Sequence, residues 1–500
     1  MHVSKAQQQL EKDFLDPHWK RIAFYAGVAI SIGVIFAFSQ LGTCYGDEGF
    51  HLLAAQLVMS GKKPYLDFFY QHPPLYIYLT AGWMSVFGDT WRSAHALSAL
   101  FTSGCIVTVA SYLFDRWRGQ PAAPGVVVTA TLILSLNSFV LAFGTLGQPY
   151  SFCLFFSVAS FRLTISSTRS RNRLLPVLAG LCAGAAAASS LLALPIAPIL
   201  FLWMIRHKQN GNRLSKALAF LCGALVPFVP LLLLFVKGPR QVWLDLFQYH
   251  VFYRDLDPNA SNFLLNLKTV AKLIVESPGP LLLLVTLGSL RLFKKTLIGD
   301  GEWRREFRLC FWLVISLAVF LTLPLPTFPQ YYVLLIPFLT ILASGGIHLI
   351  LSSAGFGRMK WLIMAVIVLT ATNLPGVYSE IRATRGCWQS LEGSAASINS
   401  VTPPNALVYA GEPFYFASRH SPPPGLENSF ATDHLPSTLA PLSHAATSAQ
   451  IDERLASGYF DSVIIGADDP RVERFNLLGI YPRNQKLHVL RATYYLLSKR

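Results

Sequence analysis

The chain has 500 residues, of which 53% are hydrophobic and only 13% are charged. A soluble protein carries roughly a quarter charged residues, so this composition excludes an ordinary soluble enzyme, a disordered chain and a secreted disulfide scaffold. The net charge of +15 would suggest nucleic acid in a soluble protein, but a polytopic α-helical membrane protein is the class that remains.

Apolar runs long enough to cross a bilayer recur along the first 375 residues, which we predict to form one transmembrane domain, 1–375. We expect eleven spans, at 22–41, 93–114, 123–143, 149–165, 174–188, 190–205, 215–236, 278–290, 309–323, 331–352 and 361–375. The first run follows Lys20-Arg21 and lacks a small-residue cleavage site, which indicates an uncleaved anchor rather than a signal peptide.

Basic residues orient these spans, because cytoplasmic loops carry an excess of Lys and Arg. Of the 41 Lys and Arg, 22 lie in the N-terminal segment and the alternate loops, 8 in the opposite loops and 11 in the tail after residue 375. We therefore predict a cytoplasmic N-terminus, with two large loops, 42–92 and 237–277, and the tail outside. The basic balance is then a topological bias, and we expect no nucleic-acid partner.

Seven scattered cysteines without metal spacing predict no disulfide framework.

The first outer loop opens with an acidic pair, Asp47-Glu48, in the first turn of a predicted amphipathic helix over 46–61. Phe50 and Leu57 share its apolar face, which could lie in the membrane interface. Asp47 fits a helix N-cap, which needs no function, and it equally fits a carboxylate that meets a substrate at the membrane face. Both interpretations stay open at this point.

The rest of this loop, 62–92, is rich in lysine, proline and aromatic residues. Lys62 and Lys63 fit lipid phosphates, and Gln71-His72 precede two prolines, which favours an extended backbone. The aromatic side chains predict a belt at the lipid–water interface. They are Tyr65, Phe68, Phe69, Tyr70, Tyr76, Tyr78 and Trp83.

These elements together resemble the GT-C glycosyltransferases, and within them the bacterial branch near the protein O-mannosyltransferases and the lipid A aminoarabinose transferases. The resemblance covers residues 40–118 and rests on Asp47-Glu48, Pro73-Pro74-Leu75, Tyr78, Phe87-Gly88 and Arg92. It implies a GT-C-like membrane fold of about eleven helices. Relatives often carry Glu-Lys where this chain has Gln71-His72, a departure that bears on metal binding.

The resemblance also implies the chemistry. The donor would be a sugar on a polyprenyl phosphate, and transfer would be an inverting displacement at the periplasmic face of a bacterial inner membrane. Asp47 is the expected general base, with Glu48 beside it either assisting or facing solvent. The candidates that receive the leaving phosphate are Lys62, Lys63, Arg92 and Arg254. Membrane lipids would surround the isoprenoid tail, and no nucleotide cofactor is expected. The acceptor, whether lipid, protein or glycan, stays open.

The second outer loop adds His250 and Arg254, which stand four residues apart and so share a helix face. In the lipid A branch, a His followed by an Arg in a comparable loop can ligate metal. His72 and His250 are therefore candidate ligands of a divalent ion such as Zn, Mg or Mn, and two unrelated interfacial histidines are the alternative. The resemblance places the substrate cleft at Tyr70, Gln71, His72, Gln148, His250, Gln330, Tyr331 and Tyr332, with the last three at its rim.

The tail is polar and mixed, and it predicts a small extracytoplasmic α/β domain over 376–500. We expect strands at 406–411, 462–467 and 487–497 and helices near 389–400 and 446–457. Its role would be structural or acceptor-shaping.

Two rivals to the transferase stay open, a transporter or flippase for lipid-linked glycans and a non-catalytic membrane scaffold. Acidic residues are absent from the predicted spans, which disfavours an ion-coupled transporter.

Overall fold

The computed structural model describes residues 17–118, 120, 122–206, 212–253, 264, 266–268, 270–271, 279–293, 301–324, 326–353, 378 and 381–499. Arg254 and the predicted span 361–375 lie outside these residues.

The described residues before residue 354 are mainly helical. Its α-helices are α1 (Pro17–Ser39), α2 (Glu48–Met59), α3 (Leu75–Phe87), α4 (Trp91–Trp117), α5 (Ala123–Ser135), α6 (Ser138–Phe143), α7 (Tyr150–Arg169), α8 (Leu174–Ser189), α9 (Ile196–Arg206), α10 (Arg213–Leu225), α11 (Val229–Lys237), α12 (Pro239–Trp243), α13 (Gly279–Phe293), α14 (Gly301–Leu321) and α15 (Ile336–Ser353). Short 3-10 helices lie at Leu191–Ala193, Val226–Phe228 and Pro329–Leu335, and a π-helical stretch at Leu244–Tyr253.

Several of these helices have the length and composition of membrane spans. Four in the described residues are long and apolar enough to cross a bilayer, namely Trp91–Trp117, Tyr150–Arg169, Arg213–Lys237 and Pro329–Ser352. Shorter apolar helices lie at Phe24–Ser39, Leu75–Phe87, Ala123–Ser135, Leu174–Ser189, Leu191–Arg206 and Leu281–Leu290. The chain is thus an integral membrane protein, whereas the expected number of eleven spans stays a prediction.

Two boundaries differ from those predicted. The expected span 123–143 is two helices, α5 and α6, because the side chain of Asn137 accepts hydrogen bonds from the amides of Phe139 and Val140 and so caps a second helix. An apolar helix, α3, also lies within the expected first outer loop. It begins directly after Pro73-Pro74, since proline suits the start of a helix, where its missing N–H costs nothing.

Close helix packing at glycine holds part of this bundle together. A Cβ atom at Gly180 or Gly184 of α8 would collide with the backbone of α10 at Phe220 and Ala224. Small residues let helix backbones approach in this way, which is how membrane helices associate without a hydrophobic driving force between them.

The C-terminal part forms a small α/β domain. Its helices are α16 (Cys387–Val401), α17 (Glu412–Ser418), α18 (Ser429–His434), α19 (Ala440–Ser443), α20 (Ser448–Ala456), α21 (Arg471–Arg474) and α22 (Leu477–Ile480). Its strands are β1 (Val408–Tyr409), β2 (Ser462–Gly466), β3 (Arg483–Val489) and β4 (Ala492–Ser498), in the sheet order β1-β2-β4-β3. β1 and β2 are parallel, and β4 is antiparallel to both β2 and β3.

The predicted helices near 389–400 and 446–457 are confirmed as α16 and α20, but the third predicted strand is wrong. Instead of one strand over 487–497, the chain makes a hairpin of β3 and β4, which turns at Leu490 with a left-handed φ of 56°. The apolar run of β4 had extended the predicted strand across that turn, which lacks the Gly or Asn that usually marks one.

A disulfide joins Cys44, just after α1, to Cys387 at the start of α16, with 5.8 Å between their Cα atoms. The expectation of no disulfide is therefore wrong for this pair, which is 343 residues apart in sequence. Backbone bonds reinforce the link, because the amide of Trp388 donates to the carbonyl of Gly42 at 3.0 Å. Gly42 has a φ of +67°, a conformation that favours glycine.

The C-terminal domain rests on the first outer loop through several polar contacts. Lys62 pairs with Glu427 at 3.1 Å, and Gln71 Oε1 accepts a hydrogen bond from Asn428 at 2.9 Å. Asp89 accepts from Gln56 and lies 3.4 Å from Arg419. These contacts fix the domain against the helices that begin the loop.

Candidate functional site

Asp47 lies at the first turn after α1, directly before α2. Its backbone occupies the N-cap position, but its side chain makes no capping hydrogen bond, so a capping role for the carboxylate is not what the structure shows. Asp47 is half-buried, and it follows the exposed Gly46.

Glu48 is held in a buried network of three donors. Its Oε1 lies 2.5 Å from His95 Nε2 of α4 and accepts from the amide of Gly147 at 2.7 Å. Its Oε2 accepts from Trp388 Nε1 of α16 at 3.0 Å. Glu48 is 1% exposed, so the expectation that it faces solvent is wrong. This carboxylate joins three segments of the chain to α2.

His95 shows where the hydrogen atoms of this network lie. Its Nδ1 is 2.7 Å from the carbonyl oxygen of Ser39, which only accepts, so Nδ1 carries a hydrogen. Its Nε2 faces Glu48 Oε1, and a carboxylate oxygen and an imidazole nitrogen at 2.5 Å share one proton. Glu48 and His95 therefore form a neutral pair overall, whichever of the two holds the shared proton.

The loop after α6 is shaped to reach Glu48. A Cβ atom at Gly147 would lie 2.9 Å from Glu48 Oε1, so a larger residue would crowd the carboxylate. The hydroxyls of Ser98 and Thr102 donate to the loop carbonyls of Leu146 and Gly144 at 2.6 and 2.5 Å. Gln148 Nε2 donates to the carbonyl of Tyr45 at 2.8 Å, which ties the loop to the segment that carries Asp47.

The expected surface helix at 46–61 is buried. From Glu48 to Ala55, and at Leu57, every residue of α2 is buried, and the helix packs between α3 and α17. A Cβ atom at Gly49 would lie 2.5 Å from Pro413 Cγ of α17, which shows how closely the C-terminal domain approaches. Protein therefore covers most of α2, and its position in the membrane interface stays a prediction.

A cleft of about 390 Å³, a volume that includes the solvent at its open mouth, is lined in part by Tyr45, which stands two residues before Asp47 in the chain. It is lined by Phe38, Thr43, Cys44, Tyr45, Leu141, Ala142, Thr145, Leu146, Ile381 and Thr384. The wall is mostly apolar, with hydroxyl groups at intervals. Arg382 and Arg385 each follow a lining residue directly, and both are exposed. The sequence analysis had not singled out these two arginines.

The basic residues proposed for the phosphate have partners already. Arg92 pairs with Glu392 at 2.6 Å and lies over the ring of Trp91. Lys62 pairs with Glu427, as described above. The backbone amide of Lys63 donates to Asp67 at 2.7 Å, and Lys63 is exposed. These three stay candidates, but two of them would have to exchange a carboxylate for a phosphate.

The proline-flanked segment of the first loop belongs to the interior rather than to a belt. Tyr65, Phe68, Phe69, Tyr70 and Tyr76 are all at most 2% exposed, so the interfacial-belt interpretation is wrong for them. The prediction of an exposed aromatic belt failed because the C-terminal domain and the π-helical stretch cover this segment. The composition of the segment gives no sign of that cover.

Tyr70 and Gln71 sit among polar partners. The hydroxyl of Tyr70 is 3.1 Å from His51 Nδ1, and its amide donates to Asp245 at 3.1 Å. His250 Nε2 bonds the carbonyl oxygen of Gln71 at 2.7 Å, and the ring of His72 lies 5.9 Å from that of His250. The structure thus brings four of the predicted cleft residues together.

Burial sets the charge of this cluster. It lowers the pKa of His51 to about 3, so that His51 is neutral at ordinary pH. It raises the pKa of Asp245 well above the usual range, partly offset by the hydrogen bond from the Tyr70 amide. Burial therefore favours the uncharged form of both groups.

The two histidines do not make a ligand set by themselves. A carbonyl oxygen only accepts, so His250 Nε2 carries a hydrogen toward Gln71 and cannot also bind a cation. Among the described residues there is no group of three or more His, Cys, Asp or Glu arranged to hold a metal. Metal binding at His72 and His250 stays a prediction.

The remaining cleft candidates are buried. Gln148 is 2% exposed, and Gln330, Tyr331 and Tyr332 are 7%, 7% and 3% exposed in the 3-10 helix Pro329–Leu335. The hydroxyl of Tyr332 is bonded to the Leu321 carbonyl and to Thr327. The expected position of the last three at an open rim is wrong, because this helix packs against α6, α7 and α14.

The sequence analysis missed the partners of Glu48. His95 looked like one more residue of an apolar span, and Trp388 lies 340 positions away in the tail. The only signal in the sequence was the presence of a histidine inside an apolar run, because such residues in membrane helices usually have a functional or buried partner.

The fold is the GT-C membrane fold that the sequence resemblance had implied. The neighbours include ArnT from Cupriavidus metallidurans bound to undecaprenyl phosphate, with a TM-score of 0.63 and 15% identity over 94% of this chain and 97% of that one. The unliganded ArnT gives a TM-score of 0.63 and 14% identity over 95% and 97%. The unliganded oligosaccharyltransferase of Archaeoglobus fulgidus gives 0.50 and 12% over 80% and 64%. No protein-family model and no curated protein matches the sequence.

Proposed function

We propose that this protein is a membrane glycosyltransferase that moves a sugar from a polyprenyl-phosphate donor to an acceptor at the outer face of the membrane. The fold supports the class, because its structural neighbours are glycosyltransferases of the same architecture and one of them was solved with undecaprenyl phosphate. The nature of the sugar and of the acceptor is left open by this proposal.

The observation that carries the proposal is the different environment of the two adjacent carboxylates. Asp47 is half-buried, its side chain does not cap its helix, and it follows Tyr45, a residue of the apolar cleft wall, by two positions. Glu48 is fully engaged by its three donors. Asp47 is therefore our candidate for the general base that takes the proton of the acceptor as its oxygen attacks the anomeric carbon. Direct displacement of this kind inverts the anomeric centre.

The leaving phosphate gains negative charge as the bond to the sugar breaks, so it needs cations nearby. We propose that Lys62, Lys63, Arg92 and Arg254 contribute, as the sequence suggested, and we add Arg382 and Arg385. These two are exposed and adjacent to the cleft wall, whereas Lys62 and Arg92 are paired with carboxylates of the C-terminal domain. The apolar wall of the cleft suits an isoprenoid chain.

We propose further that residues 42–92 and the C-terminal domain face the periplasm of a bacterial inner membrane. The Cys44–Cys387 disulfide supports this orientation independently of the charge bias, because disulfides persist in oxidising compartments and are rare in the cytosol. Both cysteines would then lie on the side where a lipid-linked donor is presented.

The test uses the full chain, purified and reconstituted in lipid. Mass analysis of glycolipids and glycoproteins from cells with and without the protein would first identify the product. Asp47→Asn should then lower the transfer rate by at least about 100-fold, the contribution of a general base, while the protein still inserts and binds donor. Asp67→Asn, in the same loop, is the matched control and should stay within a few-fold of the parent.

Normal transfer by the Asp47→Asn variant would reject Asp47 as the base. A product that is translocated but chemically unchanged would instead favour a flippase, and the absence of any change in glycolipids or glycoproteins would favour a scaffold.

A further inference from the structure

The helix α16 of the C-terminal domain reaches Glu48 with one side chain. Trp388 is 1% exposed, and its Nε1 donates to Glu48 Oε2 at 3.0 Å. The same tryptophan packs edge-on against Phe416 of α17 and stacks nearly parallel to Trp91 of α4, with ring planes 13° apart. It is therefore rigidly placed by both parts of the chain.

A covalent tie lies next to this contact. Cys387 directly precedes Trp388, and its disulfide partner Cys44 stands four residues before Glu48. The backbone bonds from Gly386 to Leu41 and from Trp388 to Gly42 run beside the disulfide. The disulfide and these backbone hydrogen bonds thus link the two chain segments within a few residues of the Trp388–Glu48 hydrogen bond.

We propose that the C-terminal domain completes the site by holding Glu48 through Trp388, and that the Cys44–Cys387 disulfide keeps this contact in place. Trp388 is then a positioning residue. It fixes the carboxylate of Glu48, and with it the first turn of α2, from which Asp47 projects. This inference rests on the proposed role of Asp47 in glycosyl transfer.

The geometry explains why the contact is specific. Glu48 has two carboxylate oxygens, and His95 and the Gly147 amide occupy only Oε1. Without Trp388, Oε2 would be buried with no donor in this network, and a buried polar atom without a partner is costly. Glu48 would then rotate toward another donor or toward water, and the first turn of α2 would lose its fixed position.

The chain offers a matched pair of tryptophans for the test. Trp388→Phe deletes the indole N–H but keeps most of the ring. Trp91→Phe deletes an N–H that crosses the same interface to Glu392 at 3.0 Å but does not reach Glu48. We expect Trp388→Phe to lower kcat about tenfold with little change in the KM for acceptor, the size expected when one buried hydrogen bond is lost and its acceptor is left unpaired. Trp91→Phe should stay within about twofold.

A second readout does not need activity. The Gly147 amide donates to Glu48, so hydrogen exchange in the peptide that spans 144–149 reports whether Glu48 is held. Exchange there should accelerate about tenfold in Trp388→Phe and not in Trp91→Phe.

The disulfide is tested by replacing Cys44 and Cys387 together with serine. This variant should show the same direction of change in kcat and in exchange, and adding Trp388→Phe to it should have little further effect, because both act on one contact. It also keeps the proposal testable if Trp388→Phe fails to fold.

Equal behaviour of Trp388→Phe and Trp91→Phe in both readouts would overturn the proposal, as would fully additive effects of Trp388→Phe and the serine pair. If the parent protein transfers no sugar but the exchange pattern is as expected, the proposed function is rejected. The inference that Trp388 holds Glu48 in position is then retained.

Discussion

Asp47 and Glu48 are adjacent in the chain, yet Glu48 is buried and Asp47 is half-buried. Glu48 is hydrogen-bonded to three segments of the chain, whereas the side chain of Asp47 makes no capping bond. Glu48 anchors the turn that carries Asp47. From these contacts of Glu48 we derive the first prediction.

Replacing Glu48 with Ala should lower the free energy of unfolding by about 2–4 kcal/mol, because His95, the Gly147 amide and Trp388 would all lose their acceptor in a buried site. The measurement is thermal or chemical unfolding in detergent. Asp115→Ala is the control, since Asp115 is 46% exposed and its pair with Arg162 should be worth less than about 1 kcal/mol. Equal losses in the two variants would show that the network does not anchor this turn.

The acidic pair itself could be predicted from the sequence, but its division of roles could not. The Asp-Glu pair, the Pro-Pro turn and the apolar runs are local patterns, and they indicated the fold correctly. The partners of Glu48 come from positions 95, 147 and 388, and no periodicity links residues so far apart. The disulfide could not be predicted for the same reason, because the spacing of Cys44 and Cys387 does not mark them as a pair. Burial of the aromatic loop depended on a domain that follows it by more than 300 residues.

Arg382 and Arg385 should bind the donor phosphate if the cleft beside Asp47 takes the lipid. Changing both to Ala is expected to raise the KM for a polyprenyl-phosphate sugar about tenfold or more, with a smaller effect on the KM for acceptor, because each lost contact to a phosphate is charge-assisted. Initial rates at varied donor concentration measure this. Arg483→Ala on the exposed edge strand β3 is the control. An unchanged donor KM would place the phosphate elsewhere.

Glu306 of α14 is the centre of a buried ion cluster far along the chain from the candidate site. Its carboxylate lies 2.7 Å from Arg116 and 2.5 Å from Arg169, and it accepts from Tyr112 at 2.9 Å. Two arginines that the sequence analysis counted only as topology signals therefore also pack α4 and α7 against α14.

Glu306→Ala should destabilise the bundle by about 3–5 kcal/mol, because it leaves a largely buried arginine without its counter-ion. Unfolding in detergent measures the loss. Asp115→Ala is the matched control, since Asp115 is 46% exposed and pairs with Arg162 at the surface, a contact worth less than about 1 kcal/mol. A loss no larger than that of the control would mean that water or lipid compensates the arginines.

His51 should make the protein less stable in mild acid. Burial lowers its pKa to about 3 in the folded chain, whereas the unfolded chain takes up the proton near 6.5. Between these values the unfolded state binds more protons, so the free energy of unfolding falls as the pH drops below 6.5 and gains nothing further above it. Across two pH units this one group contributes about 2 kcal/mol.

The measurement is the free energy of unfolding of the parent and of His51→Asn from pH 7 to pH 4.5. The Asn side chain keeps a polar atom near Tyr70 but does not take up a proton, so the parent should lose more stability than the variant as the pH falls. Asp245, whose raised pKa gives the opposite slope, is present in both and cancels in the comparison. His488→Asn, which changes an exposed histidine of β3, should run parallel to the parent. Parallel curves for the parent and His51→Asn would mean that His51 is not held uncharged by burial, and the packing of α2 against Tyr70 would need another explanation.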